Sequence, residues 1–220
     1  MTMLKRGDKN KKLNATQQIN RVHIATFSIP AVKTCPGAKA CLVGGYCTRG
    51  NYGTSSIKAI CEDNLKRSMS GSFVDDICHE LDTELWDVQY VRIHPVGDFY
   101  DMDYFLKWVA IADKKPSVVF YAYTKSVNIV KKYLSEYELP RNMVISYSYG
   151  GKYDDMINPD KDYHTIVIGP NDEIPAGYVD CGDDDLMMVN GYKKIAIRYH
   201  DGHNGKTWGK SGFSQVILPQ

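Results

Sequence analysis

Short apolar runs alternate along this chain with longer amphipathic stretches, and that rhythm is the strongest constraint on its fold. Residues 21–29 (RVHIATFSI) end at Pro30, and residues 88–94 (VQYVRIH) are closed by Pro95 and Gly97. Further runs cover residues 117–123, 143–147, 165–168 and 193–199. Each reads as a strand. Between them, Ile57, Ile60, Cys61 and Leu65 share one helical face, and Phe73, Ile77 and Leu81 recur at helical spacing. Ser72 stands where it could cap that second helix. Tyr104, Phe105, Trp108 and Ile111 form the apolar side of a third helix over residues 101–113. Ser126 could cap a fourth, which ends near Tyr137.

Strand–helix alternation predicts an α/β protein with a largely parallel sheet. About six strands are too few for a complete eight-stranded barrel, so the expected fold is a partial, open parallel β/α barrel. The chain has 220 residues, enough for one domain with a sizeable core. The expected organisation is a flexible basic tail over residues 1–20 and a single α/β domain over residues 21–220. The tail expectation comes from Lys5, Arg6, Lys9, Lys11 and Lys12, followed by Asn and Gln rather than a hydrophobic stretch. A secretory signal is therefore not expected.

Net charge is +1, which offers no global electrostatic case for nucleic acid or membrane as partner. No apolar run is long enough to span a bilayer. A cytoplasmic setting follows as the expectation. There, cysteines favour metal binding over disulfides.

Three of the six cysteines lie in one loop after the first strand. Cys35, Cys41 and Cys47 are separated by five residues and again by five, in a segment rich in glycine and holding Pro36. Three thiolates on a tightly folding loop suit a soft metal centre, with an iron–sulfur cluster first and zinc as its rival. In parallel α/β folds, sites form beyond the carboxyl ends of strands. The turn Gly97-Asp98-Phe99 follows the second strand and Thr124-Lys125-Ser126 the third, so both would face the end that carries the cysteines. Asp98 and His94 could contact a cofactor or serve turn geometry, and Lys125 could meet a carboxylate or be solvated. Cys181, after the fifth strand, is a candidate fourth ligand or a free loop thiol. Cys61 and Cys78 fall within helices and read as small buried side chains. Asp183, Asp184 and Asp185 read as a solvated acidic loop, and His200 to His203 as a polar turn.

The order Thr34-Cys-Pro-Gly-Ala38, Gly97-Asp-Phe99 and Tyr123-Thr-Lys125 resembles the phage gene-product-88 family over residues 27–148, with a weaker echo to His200. That family in turn looks like a small relative of the radical S-adenosylmethionine enzymes. The resemblance implies a partial barrel with a [4Fe-4S] cluster on Cys35, Cys41 and Cys47. It places Gly97 and Asp98 where those enzymes carry a glycine-rich turn whose backbone contacts the methionine amine of S-adenosylmethionine, and Lys125 could meet the negative field of the cluster. A host redox or iron–sulfur assembly partner in the host cytoplasm would follow. The cysteine spacing here is wider than in the radical enzymes. That departure favours a cluster protein in redox, sensing or host interaction over a radical catalyst, and a zinc-stabilised binding domain ranks third.

Overall fold

The structure is a computed structural model that describes residues 2–44 and 53–198. Its strands are β1 (Lys5–Arg6), β2 (Ile24–Phe27), β3 (Tyr90–Ile93), β4 (Val119–Thr124), β5 (Met143–Ser148), β6 (His164–Ile168), β7 (Val179–Asp180) and β8 (Lys194–Arg198). Its α-helices are α1 (Lys11–Asn20), α2 (Ala40–Gly44), α3 (Ser55–Ser68), α4 (Phe73–Asp82), α5 (Met102–Lys114) and α6 (Val127–Leu134). The eight strands form one sheet in the order β1-β2-β3-β4-β5-β6-β8-β7. β1 runs antiparallel to β2, and the other pairings are parallel. The sheet does not close. Its edges are the two-residue strands β1 and β7, both missed from sequence because two residues carry no periodicity.

The period of two along each strand divides the side chains between two cores. Ala25, Phe27, Val91, Ile93, Phe120, Ala122, Ile145 and Ile166 point to one face, where Leu65, Phe73, Ile77, Leu81, Trp108 and Val130 of α3 to α6 cover them. Ile24, Tyr121 and Ile195 point to the other face, with Tyr90, Tyr123, Val144 and Ile197 packed beside them. Leu13 of α1 and the segment carrying Cys181, Leu186, Met187 and Met188 cover that second face. Strands buried on both faces read as continuous apolar runs, which is why residues 117–123 show little alternation.

The N-terminal residues expected to form a tail are instead part of the fold. Met3, Leu4 and Leu13 are buried despite the lysines around them. The buried Glu80 carboxylate on α4 accepts from Met3 N at 2.7 Å and from Leu4 N at 2.9 Å. Asn64 on α3 donates to the Met3 carbonyl at 3.2 Å. Asn10 caps α1 by accepting from Leu13 N. The lysines on either side of these positions hid the apolar contacts of Met3, Leu4 and Leu13 in the sequence.

The expected caps differ as well. Asp101 caps α5, its side chain accepting from Tyr104 N at 2.8 Å. Ser72 and Ser126 make no capping bond. Ser126 Oγ instead donates to the Phe99 carbonyl at 2.7 Å, tying the end of β4 to the turn after β3.

Candidate cysteine site

The loop after β2 is held against the carboxyl ends of the next three strands by backbone contacts. Thr34 Oγ1 donates to the Pro30 carbonyl at 2.6 Å, and Cys35 N donates to the Val32 carbonyl at 3.2 Å. Val32 has φ of 67°, an unusual conformation for a β-branched residue, and its side chain is exposed. Gly37 lies flat against the peptide after β4. A Cβ there would stand 2.0 Å from the Lys125 carbonyl oxygen, so only glycine fits. Gly97, with φ of 92°, is packed equally tightly: a Cβ would meet Ile29 Cγ1 at 2.4 Å.

Asp98 is the centre of this arrangement. Its carboxylate accepts from Phe99 N at 2.8 Å, Lys125 N at 2.8 Å and Thr124 Oγ1 at 2.5 Å. Burial raises its pKa, against the opposing pull of those three hydrogen bonds. Lys125 extends the same frame. Its ammonium donates to the Ser148 carbonyl at 2.9 Å, to Ser148 Oγ at 2.8 Å and to the Tyr149 carbonyl. All three ammonium protons therefore have acceptors at the end of β5.

The third strand end adds contacts that no motif announced. Lys152 N donates to the Gly37 carbonyl at 2.9 Å, and Lys152 Nζ donates to the Pro36 carbonyl at 2.8 Å. Ala40 N donates to the Gly150 carbonyl at 2.9 Å. Asp154 shapes this turn by accepting from Gly150 N at 2.8 Å and Gly151 N at 2.9 Å. The Gly150-Gly151 pair directly after an apolar run was the available sequence signal.

Cys35 and Cys41 are both half-buried, and each is free of disulfides. Burial, then the charge of Asp98, pushes the Cys35 thiol up to about 11, and the neighbouring Cys41 adds to the rise. Binding of a cation there must displace that thiol proton. Cys47 lies outside the described residues, as do His200 and His203. Among the described residues, no three His, Cys, Asp or Glu side chains come together as a metal-holding group. Of the three cysteines expected as ligands, Cys35 and Cys41 are described and free, and Cys47 is not described.

Cys181 does not join them. It is buried on the second face of the sheet with Leu13, Tyr121 and Leu186, and Lys12 Nζ donates to its sulfur at 3.0 Å. Sequence order gave it a loop after a parallel strand, but its side chain turns inward between α1 and β4. His94 is similarly removed from the cysteines. Its φ is 61°, and its ring packs among Phe27, Phe99 and Tyr104 with Nε2 2.7 Å from the Tyr104 hydroxyl. Cys61 and Cys78 are buried in α3 and α4, as their helical setting implied. The acidic run is only partly solvated: Asp183 is exposed, whereas Asp185 is buried and pairs with Arg92 at 2.9 Å and Lys12 at 3.5 Å. Tyr121 OH also donates to Asp185 at 3.0 Å.

A family model described as gene product 88 matches residues 2–212, nearly the whole chain. The chain belongs to the gene product 88 family. Its described residues form a mixed α/β fold with an open, mostly parallel sheet. No curated protein and no solved structure gives a significant match. Among the described residues, no helix is long and apolar enough to cross a membrane.

Proposed function

We propose that this gene product 88 protein binds a [4Fe-4S] cluster through Cys35, Cys41 and Cys47 and serves a redox or sensing role. The observation that carries the reading is the pairing of Cys35 and Cys41 on a loop clamped to three strand ends. Soft thiolates on a rigid backbone suit iron–sulfur ligation. The frame beneath the loop fixes where the sulfurs stand, and Asp98 and Lys125 build that frame. When bound, the cluster supplies one-electron chemistry, and the residues around it set its exposure and hydrogen bonding.

A radical enzyme that binds S-adenosylmethionine at an open iron is less well supported. Asp98 and Lys125 spend their polar groups within the protein, and Ile29 and Thr34 crowd the Gly97 turn. The second face of the sheet is packed with Leu13, Leu186 and Met188.

Anaerobic purification with iron and sulfide counting and an absorption spectrum tests the reading. A brown protein with about four irons per chain is expected, and Cys35→Ser, Cys41→Ser and Cys47→Ser should each lose most of the iron. Cys181→Ser should keep it. A colourless, zinc-loaded protein would overturn the cluster. A reduced-cluster spectrum that changes on addition of S-adenosylmethionine would restore the enzymatic reading.

A further inference from the structure

The two edges of the open sheet are brought together by a lysine and a cysteine. α1 follows edge strand β1, and Cys181 follows edge strand β7. Lys12 Nζ and Cys181 Sγ stand 3.0 Å apart although 169 positions separate them in sequence. The contact is built on both sides. Cys181 N donates to the Ala196 carbonyl at 3.0 Å, which fixes the cysteine backbone to β8. Thr16, one turn along α1 from Lys12, has its hydroxyl 2.9 Å from both the Lys12 and the Asp183 carbonyls, which share its one proton. Its hydroxyl also accepts from Asp185 N at 2.9 Å. Asp185 Oδ1 lies 3.5 Å from the same Lys12 ammonium and holds it in place.

From this geometry we infer that Lys12 and Cys181 form a covalent bond when the protein is oxidised. A cysteine that reaches the sulfenic acid stage condenses with a thiol to a disulfide or with a backbone nitrogen to a sulfenamide, and the proposal extends the second reaction to the Lys12 amine. The proposed oxidant is a peroxide. The Cys181 thiol attacks one peroxide oxygen, the O–O bond breaks, and Cys181–SOH and water form. Lys12, having given a proton to solvent through its partly exposed side, then attacks the sulfur through its nitrogen lone pair. The S–O bond breaks, the oxygen leaves as water, and an N–S bond joins the two residues. Sulfur is oxidised by two electrons and peroxide is reduced by two. The pairing favours this closure over further oxidation because the nitrogen already sits in contact with sulfur. The bond would lock β1 and α1 to β7, closing in covalent form a sheet that hydrogen bonds leave open.

Peptide mass spectrometry of the purified full-length chain after mild hydrogen peroxide tests this. A peptide pair joined through Lys12 and Cys181, lighter by two hydrogens and reversed by thiol reductant, is the expected result. Lys12→Arg keeps the charge and should abolish the linked pair while Cys181 goes on to the sulfinic acid. Linked protein should also show slowed amide exchange along α1. An unlinked sulfinate in the unaltered protein, or a Cys181 that does not react, would overturn the proposal. Neither residue is a proposed cluster ligand, so Cys35→Ser should leave the linkage unchanged.

Discussion

His94 makes the pH dependence of this fold quantifiable. Burial lowers its pKa from 6.5 to about 3, so the ring stays neutral in the folded protein well below neutrality. The sign follows from proton uptake. Below pH 6.5 the unfolded chain protonates this histidine and the folded chain does not, so stability falls as pH falls. Between pH 7 and pH 5 the difference amounts to about 2 kcal/mol, and it approaches about 5 kcal/mol near pH 3. His164 has a pKa lowered chiefly by burial and acts in the same direction. His94→Asn isolates the effect, because asparagine tolerates the φ of 61° at this position. The variant is less stable overall, having lost ring contacts with Phe27, Phe99 and Tyr104. What matters is its slope. Urea unfolding from pH 7 to pH 5 should show a loss smaller by about 2 kcal/mol than in the unaltered protein. Equal slopes in the two proteins would refute the assignment of a buried neutral imidazole, as would an imidazole NMR signal that titrates near 6.5.

Three substitutions probe the frame under the cysteine loop and the N-terminal anchor. Gly37→Ala places a methyl 2.0 Å from the Lys125 carbonyl and should cost about 3 kcal/mol or more in thermal or urea unfolding, against a smaller cost for Gly177→Ala in open surroundings. At Gly177 φ is 82°, so a small cost of about 1 kcal/mol remains the comparison level. Asp98→Asn leaves at least one of Phe99 N and Lys125 N facing an amide NH2, and equilibrium unfolding should register a loss of about 1–3 kcal/mol. Glu80→Ala removes the acceptor of the Met3 and Leu4 amides; hydrogen exchange of those two amides should rise far more than that of β4.

The sequence was most legible where periodicity is long. The six longer strands and α3 to α6 stand close to where alternation and helical spacing put them. It was least legible where burial depends on distant partners. Lys12 reads as solvated until Cys181 and Asp185, far along the chain, are brought to it. Asp185 reads as one of three equivalent aspartates, yet only its side chain meets Arg92 and Tyr121. Cys181 and Cys35 both follow strands of a parallel sheet, and strand order alone does not say which face each sulfur takes. For Cys181, next to the pair of Asp180 opposite Ala196, strand register carries over to the sulfur; Cys35 lies in a loop beyond β2, where it does not.

The three motifs that drew attention as site signatures are contacts with one another. Gly37 of the first lies on the Lys125 carbonyl of the third, and Asp98 of the second accepts from the N–H of that same residue. A motif can therefore recur as a set because its members pack, without any member touching a ligand. This separates two properties that sequence reading merges. Asp98 and Lys125 hold the loop in place, whereas Cys35 and Cys41 are the groups through which the proposed cluster would bind. On that division, a change at Asp98 should lower stability and cluster retention together, whereas Cys41→Ser should lower cluster retention with little change in the unfolding of the cluster-free chain. Cysteine 41 is half-buried and stands on a short helix, so its loss removes little packed surface. If Cys41→Ser instead unfolded the cluster-free protein as strongly as Asp98→Asn, the loop would be held by its sulfurs rather than by the frame beneath it.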